Sequence, residues 1–406
     1  MSASEPTRRS FILAAGTAAT SLVLGNVARG FPANEAIRVG VIGTGGRARY
    51  LMKPLATIAN VRITNLCDAW DNALSLAAPL ADPKATATKV SAELLADKDV
   101  HAVLVGTSDH QHVPVTVAAL QAGKDVYVEK PLTHDLAEGQ VILDAQAKAK
   151  KIVQVGMQQR SMTHLIRAKQ LINDGKIGKV LKVKMSWNRN ADRMRKNPLG
   201  VDPKSVDWKT FLGTAKDQPF DEYRFRNWRW FWDFGGGIFT DLMVHWVDVA
   251  HWVLNLDAPE KAVSVGEHFA AKDVWETPDT VQTLLTYPGG IQMHFEGTFS
   301  NARKGAHIEF LGTDASLYAD RGRFELNPER SKKVEPIIEI LGKKPDYPGA
   351  DFYDQPDGEL LHLQNWIDCV RSRKEPNAPI AAGVASAAAA HLANMALRTG
   401  QTARAK

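Results

Sequence analysis

Two side chains in the middle of the chain and one lysine nearer its start have the types that proton and hydride chemistry needs. Asp241 and His245 stand four positions apart, so on a helix they share one face. A histidine is the natural general base for a hydroxyl that loses its proton as hydride leaves the carbon. Lys130 follows a short apolar run, and its ammonium can hold the reacting oxygen and stabilise the negative charge developing there.

The elements that must position Lys130 alternate between strand and helix. Short apolar runs predict strands at 37–42, 61–66, 102–106, 125–128 and 152–155, with helices after Gly43, at 113–122 and at 136–150. This alternation predicts crossover units and a parallel sheet. Lys130 then lies at the carboxyl edge of that sheet, where ligands bind in such folds.

The second half of the chain changes character. Alternating runs predict strands at 180–187, 280–287, 291–299 and 307–311, and helical patterns close the chain at 359–373 and 382–398. The fold class predicted is an α/β Rossmann domain plus an α+β domain with a large, mainly antiparallel open sheet. The predicted boundaries are a signal peptide at 1–33, a Rossmann domain at 34–156, a substrate and oligomerisation domain at 157–358, and carboxyl-terminal helices at 359–406 that pack back towards the Rossmann domain. The Pro- and Lys-rich stretch at 332–351 predicts a surface loop.

A glycine-rich turn behind the first strand has the spacing Gly43-x-Gly45-x-x-Ala48. Gly43 allows the tight turn, Gly45 lets the backbone approach a pyrophosphate, and Ala48 lets the helix pack close to the sheet. Asp68 ends the second strand, where a carboxylate binds ribose hydroxyls and repels a 2′-phosphate, so NAD is favoured over NADP. Arg47 and Arg49 would partly neutralise such a phosphate. The alternative is a glycine-rich turn in an unrelated doubly wound fold.

Three patches carry a family resemblance. They are the segment from Gly123 to Glu129-Lys130-Pro131, the segment Gly235-Gly-Gly-Ile-Phe-Thr-Asp241-x-x-x-His245-x-x-Asp248, and Thr107-Ser-Asp-His-Gln-His112. Together with the glycine turn they resemble the Gfo/Idh/MocA oxidoreductases. The resemblance implies that Lys130, Asp241 and His245 form the catalytic trio and that Glu129 orients the cofactor or Lys130.

The remaining site residues complete the expectation. The residues predicted to bind cofactor are Gly43, Thr44, Gly45, Gly46, Arg47, Ala48, Asp68, Thr107, His112, Glu129 and Lys130. Those predicted to bind substrate are Arg160, Tyr223, Trp228 and Arg229, because aromatic faces suit the apolar face of a sugar ring. His112 either lies near the nicotinamide ribose or simply packs. His110 and His112 could form a metal pair, but no third ligand is evident and no metal is predicted.

The first residues have the order of an export signal. Arg8 and Arg9 precede an uncharged stretch at 11–27, which resembles a twin-arginine leader and predicts a periplasmic location. The alternative is a weak membrane anchor, although the stretch is short and diluted by polar residues. Net charge is +5, part of it in the leader, so nothing indicates nucleic acid. Cys67 and Cys369 are predicted to be buried free thiols.

The expected function follows from the export signal together with the nicotinamide-cofactor fingerprint. Free nicotinamide cofactor is scarce outside the cytoplasm, so an exported enzyme must carry its own. We expect an NAD(P)-dependent oxidoreductase of sugars with tightly bound, self-recycled cofactor, exported by the twin-arginine machinery. The family resemblance implies a dimer or tetramer assembled through the open sheet. The alternative is an NAD-dependent glycosidase working by oxidation, elimination, addition and reduction, with Tyr223 as a further acid–base residue. A third interpretation is a non-catalytic sugar sensor, which the intact trio disfavours.

Overall fold

The computed structural model describes residues 35–190, 198–341 and 358–405. The predicted signal peptide at 1–33 lies outside the described residues.

The first half of the chain forms a parallel sheet with helices on both faces. Its elements are β1 (Ile37–Ile42), α1 (Gly46–Leu55), β2 (Val61–Cys67), α2 (Asp71–Ala77), β3 (Thr86–Thr88), α3 (Ser91–Ala96), β4 (Ala102–Val105), α4 (His112–Gln121), β5 (Asp125–Val128), α5 (Glu138–Ala149) and β6 (Val153–Val155). The strand order is β3-β2-β1-β4-β5-β6. The order reverses between β1 and β4, so the crevice at their carboxyl ends is the place where such sheets bind ligands.

Alternate residues of the central strands fill two separate cores. Val103 and Val105 of β4 pack with α4 and α5 on one face, while Ala102 and Leu104 pack with α1 on the other. Burial on both faces explains why β4 is a continuous apolar run.

The second half is built on a mainly antiparallel sheet. Its elements are α6 (Thr163–Asn173), β7 (Val180–Asn188), α7 (Trp208–Leu212), α8 (Glu222–Arg226), α9 (Val244–Leu254), β8 (Lys261–Glu267), β9 (Thr280–Thr286), β10 (Gln292–Thr298), β11 (Ala306–Gly312), β12 (Ala315–Ala319), β13 (Arg323–Pro328), β14 (Ile337–Ile340), α10 (Gly358–Ser372), α11 (Ile380–Thr399) and β15 (Ala403–Arg404). The order is β14-β13-β12-β11-β7-β10-β9-β8-β15, and β7 and β10 are the parallel neighbours. The predicted fold class is confirmed.

One side of this sheet carries the domain's core and the other side is open. Helices α6, α9 and α11 lie against the covered side. Val263, Val265 and Leu284 project from the open side and are 49%, 64% and 42% exposed. Val263 lies directly opposite Leu284 across β8 and β9, so these side chains form an apolar patch on the open side.

The prediction of a surface loop at 332–351 is partly wrong. Residues Ile337–Ile340 form β14, which pairs antiparallel with β13 at the sheet edge. Isoleucine fits a pleated surface well, and this local preference outweighs the Pro and Lys residues around it. Residues 342–351 lie outside the described part. The sequence analysis also missed α2, β3 and α3 in the first half, and α6, α7, α8, β8, β12, β13 and β15 in the second.

The two long carboxyl-terminal helices pack in different places. Helix α10 places Leu363, Trp366 and Ile367 in the core shared by α1 and the parallel sheet. Helix α11 packs mainly on α9 and β8 of the second domain and touches α5 and β6 near its start. Among the described residues α11 alone has the length and hydropathy to cross a membrane, but more than half of it is buried, as in the core helix of a globular protein.

Cys67 and Cys369 are both buried and free, as predicted.

Candidate active site

The glycine turn is shaped by close contact with β4. Gly43 has a φ of +82°, and a Cβ there would lie 2.6 Å from the backbone nitrogen of Thr107. A Cβ at Gly106 would lie 2.9 Å from the Cβ of Ala48, so α1 packs directly on the end of β4. Gly45 and Gly46 differ, because a Cβ at either would meet nothing within 4 Å. This open space at the amino terminus of α1 fits a pyrophosphate, which the helix end attracts.

The carboxylate of Asp68 is bound to the turn itself. The backbone nitrogens of Thr44 and Trp70 donate to its two oxygens at 2.6 and 2.9 Å. Burial raises the pKa of Asp68, and these hydrogen bonds oppose that shift. The carboxylate thus lies beside the glycine turn at the carboxyl end of β2, the position predicted for the ribose ligand. Arg49 donates to the carbonyl oxygen of Thr44 at 2.7 Å.

Arg47 points towards the end of β5. Its Nε donates to Glu129 at 2.9 Å and its NH1 to Glu359 at 3.1 Å. A guanidinium held between two carboxylates is a poor ligand for a 2′-phosphate, so the structure gives no support to that expectation for Arg47. Glu129 lies against Gly156, where a Cβ would come within 2.8 Å of its carboxylate. Glu129 is therefore fixed beside Lys130, as its predicted orienting role requires.

Lys130 and Asp241 meet directly across the two domains. The Lys130 Nζ donates to the Asp241 carbonyl oxygen at 2.7 Å and to its Oδ1 at 3.1 Å. Arg229 Nε donates to the same Oδ1 at 3.2 Å. The Lys130 and Asp241 side chains are only 12% and 13% exposed, so little water screens their attraction. The structure thus brings together a lysine and an aspartate separated by 111 positions in the sequence.

His245 completes the group as a neutral base. It is 6% exposed, and its Nδ1 has no hydrogen-bond partner among the described residues. Burial, together with the positive charges of Lys130 and Arg321, holds the pKa of His245 well below its usual value. The imidazole is therefore uncharged near neutral pH, which is the form that a general base must have before it takes a proton.

The helix that carries Asp241 and His245 is less regular than the sequence predicts. Residues Phe239–Met243 form a π-helical turn, and the regular helix α9 begins at Val244. The expectation of a plain α-helical i, i+4 pair is therefore wrong in detail, because Asp241 lies in the π turn and His245 lies in α9. Single π turns of this kind occur often at functional sites.

The structure adds two residues that the sequence analysis left without a role. Arg321, in the turn between β12 and β13, lies with its guanidinium 4.6 Å from the ring centre of Trp187, whose own ring is 5.2 Å from His245. Asp109, which follows β4, is 4% exposed. Burial raises the pKa of Asp109 to about 8, although Lys130 and Arg229 oppose the shift. The clue for Asp109 was its place in the Thr107–His112 motif, whereas Arg321 had no sequence signal beyond a turn.

His112 has a positioning role. Its Nδ1 lies 2.6 Å from the Pro131 carbonyl oxygen and its Nε2 lies 3.2 Å from that of Thr107. The side chain is 1% exposed, so of the two predicted roles the structure favours packing: the ring ties the loop after β4 to the Lys130–Pro131 turn. The His110 Nε2 faces the Phe211 carbonyl oxygen at 2.9 Å. Within the described part of the chain no cluster of His, Cys, Asp or Glu has the form of a metal site.

The predicted substrate residues separate into two groups. Arg229 stacks over Trp228 at 4.1 Å and contacts Asp241, so both lie beside the trio. Arg160 is 7% exposed and makes two hydrogen bonds to Asp248, at 2.8 and 2.9 Å. The Tyr223 hydroxyl accepts a hydrogen bond from Trp275 Nε1 at 3.2 Å. The substrate roles of Arg160 and Tyr223 stay predictions, because each side chain is already engaged by another residue.

The fold and the site can be compared with known protein families. A family model described as an oxidoreductase family with an NAD-binding Rossmann fold matches residues 37–157. A second, described as the GFO/IDH/MocA C-terminal domain, matches residues 165–318. Together they cover more than half of the chain. The chain belongs to the Gfo/Idh/MocA family.

Two curated relatives are about one quarter identical to this chain. Inositol 2-dehydrogenase of Salmonella typhimurium is 26% identical over 224 residues, 54% of this chain and 55% of that protein. Inositol 2-dehydrogenase 2 of Saccharopolyspora erythraea is 25% identical over 376 residues, 90% and 95% of the two chains. The chain spans about half the length of the first curated relatives it matches.

A solved structure has the same fold as this chain over nearly its whole length. Levoglucosan dehydrogenase in complex with NADH and levoglucosan superposes with a TM-score of 0.70 at 17% identity, covering 91% of this chain and 99% of the other. The amino-terminal domain is thus an NAD-binding Rossmann domain, and the open space at Gly45 and Gly46 and the carboxylate of Asp68 fit that cofactor.

Proposed function

We propose that this protein is an NAD-dependent oxidoreductase that oxidises a CH–OH group of a sugar or polyol. The observation that carries the proposal is the contact of Lys130 with Asp241 beside a buried, neutral His245, at the carboxyl edge of the Rossmann sheet. The names of relatives and structural neighbours support the substrate class, since inositol and levoglucosan both carry secondary hydroxyls.

Each residue of the trio has a distinct task in this reaction. Bound NAD supplies the acceptor for the hydride that leaves the carbinol carbon. Lys130 holds the hydroxyl oxygen and stabilises its developing negative charge. The carboxylate of Asp241 keeps the ammonium in place, helped by Arg229. His245 takes the hydroxyl proton, because its buried ring is neutral and lies within the electrostatic reach of Lys130 and Asp241.

The preference for NAD over NADP rests on Asp68. A 2′-phosphate at this position would approach a carboxylate that already sits against the backbone of the glycine turn. Arg47 is held by Glu129 and Glu359. Arg49, whose charge acts on Asp68, is bound to the carbonyl oxygen of Thr44. NADP is therefore expected to bind more weakly than NAD.

We propose further that the enzyme is exported to the periplasm through its twin-arginine leader and keeps its cofactor bound. Hydride taken from one sugar is then returned to a second carbonyl substrate in a ping-pong cycle, since no nucleotide pool surrounds the enzyme. The paired arginines at 8 and 9 support the route. The exposed patch of Val263, Val265 and Leu284 supports a homo-oligomer that covers the open sheet.

An isotope experiment tests the reaction class. Sugars and polyols deuterated at single carbinol carbons are added to NAD-loaded protein, and the nicotinamide is analysed by mass spectrometry. Deuterium on the reduced nicotinamide from one labelled position is expected and also names the carbon. Cleavage of a glycoside with the label returned to the product would instead support the glycosidase alternative, for which the buried Asp109 offers a protonated acid.

A further inference from the structure

One segment of the second domain lies against the cofactor edge of the Rossmann sheet. Residues 201–234, called here the cover segment, include α7 and α8. The Asp207 nitrogen donates to the Ala69 carbonyl oxygen at 2.7 Å, and Trp70 and Val206 form an antiparallel bridge. Trp70 Nε1 donates to Ser205 Oγ at 3.2 Å. The cover segment is thus attached to the loop that directly follows Asp68.

The same segment is attached to a second loop of the Rossmann domain, the one that follows β4. The His110 Nε2 lies 2.9 Å from the Phe211 carbonyl oxygen, and Gln111 Nε2 donates to the Thr210 carbonyl oxygen at 3.3 Å. Further along, the His110 backbone nitrogen donates to the Phe234 carbonyl oxygen at 3.4 Å. These contacts hold the second edge of the cover segment.

The cover segment has a small core of its own and is also anchored in the second domain, because Leu212, Trp230, Phe231 and Phe234 belong to that domain's core. Val201, Val206 and Phe225 are buried in a cluster separate from the cores of both domains. Phe211 packs edge-on against Phe225 with ring centres 4.9 Å apart. The Arg226 guanidinium lies 4.6 Å from the ring centre of Trp70 and joins this core to the Rossmann domain.

The two loops held by the cover segment flank the place where a dinucleotide lies. In a Rossmann fold the acidic residue ending β2 binds the adenosine ribose, and the pyrophosphate crosses the crevice between β1 and β4. We propose that the cover segment encloses the adenosine half of NAD and slows both its entry and its departure. The inference rests on the proposed function, since it supplies the retention that a self-recycled cofactor needs.

A cover has a kinetic signature that ordinary ligand contacts lack. Loosening it should speed association and dissociation together, whereas loss of a contact with the nucleotide speeds dissociation alone. The test variant is Ser205→Ala combined with Arg226→Ala, which removes two attachments to Trp70. Gln111→Ala loosens the other loop independently. The matched control is Lys209→Ala, an exposed position of the same segment.

Rates are measured with added NADH by energy transfer from tryptophan, with excess NAD as the displacing ligand. We expect both rate constants to rise at least tenfold in the double variant and in Gln111→Ala, while Kd changes less than threefold and Lys209→Ala matches the wild type. Circular dichroism and thermal melting verify that each variant is folded, and the two loosened sites report independently if one variant fails to fold.

The outcomes separate the two proposals. Unchanged rates in both loosened variants, or faster dissociation with unchanged association, would overturn the cover. Slow NADH exchange in a wild type that oxidises no sugar or polyol would overturn the proposed function and leave the cover standing. A wild type that binds no NADH at all would overturn both.

Discussion

At the scale of single residues, the site consists of buried charged and titratable side chains around Lys130. Lys130 is paired with Asp241, which also accepts from Arg229, and Asp109 lies close enough for its pKa to respond to all three. His245 stays neutral in this surrounding because burial and nearby cations both oppose its protonation. A site in which the base is neutral and the oxygen-holding group is charged suits removal of a proton and a hydride from one carbinol.

Replacing Lys130 with Met should nearly abolish turnover while leaving NADH binding intact. Loss of one preorganised group that stabilises developing charge typically lowers kcat by about 10²- to 10³-fold. Steady-state rates with the best polyol substrate and fluorescence titration with NADH measure the two effects. Lys209→Met, at an exposed position, is the control. Turnover within twofold of the wild type would remove Lys130 from the mechanism.

Asp109 predicts a pH dependence of stability. Its pKa rises from 3.8 to about 8 in the folded protein, so between these values the folded state holds a proton that the unfolded state releases. Stability therefore falls as pH rises from about 4 to about 8. Asp109→Asn, which is neutral at every pH, should melt at a higher temperature than the wild type at pH 8 and show little difference at pH 4. An equal melting difference at both values would contradict the assignment.

At the scale of elements, the glycine turn and the π turn place the chemistry. The turn after β1 can approach β4 only because Gly43 and Gly106 lack side chains, and the resulting space lies at the amino terminus of α1. The π turn at Phe239–Met243 carries Asp241, whose carbonyl oxygen and carboxylate both accept from Lys130. The glycines could be read from the sequence, but the π turn depends on packing around the helix and had no sequence signal.

Replacing two glycines of the same turn with alanine should have different effects, one on stability and the other on NADH affinity. Gly43→Ala places a Cβ against Thr107 at a φ of +82°, and a non-glycine residue in that region costs about 1–3 kcal/mol. Gly45→Ala meets no protein atom within 4 Å but fills space meant for the pyrophosphate. We expect the first variant to lower the melting temperature, and the second to keep it while weakening NADH at least tenfold. Calorimetry measures the melting temperatures and fluorescence titration measures the NADH affinities. Wild-type NADH affinity in Gly45→Ala would show that the pyrophosphate does not bind beside Gly45.

At the scale of the whole molecule, the sequence predicted the parallel half more completely than the antiparallel half. Strands such as β4 are buried on both faces and read as apolar runs, and Asp68 and Lys130 follow strand ends at predictable positions. In the second half, β8 and β13 mix apolar and polar residues because one face is open, and the pattern is weak. Contacts between distant parts of the chain, such as Lys130 with Asp241 or Arg160 with Asp248, depend on tertiary packing that no local pattern encodes.

We expect the open side of the sheet to form a subunit interface, and a single charged substitution there should dissociate the oligomer. Val265→Asp places a carboxylate in the patch of Val263, Val265 and Leu284, where burial against a second copy would leave it unpaired. We expect the wild type to measure as a dimer or tetramer by light scattering and the variant to shift to smaller species. Leu76→Asp, an exposed site on α2, is the control. A monomeric wild type would contradict the proposed assembly.

The measurement that tests the account most directly is the reduced-nicotinamide absorbance of the protein purified without added cofactor. Sugars and polyols are added one at a time, followed by a second carbonyl compound. The account predicts bound nucleotide, a lasting rise in absorbance with one sugar or polyol, and its reversal by the carbonyl compound with no nucleotide released. Protein that carries no nucleotide, or bound NAD that no sugar or polyol reduces, would contradict the central claim.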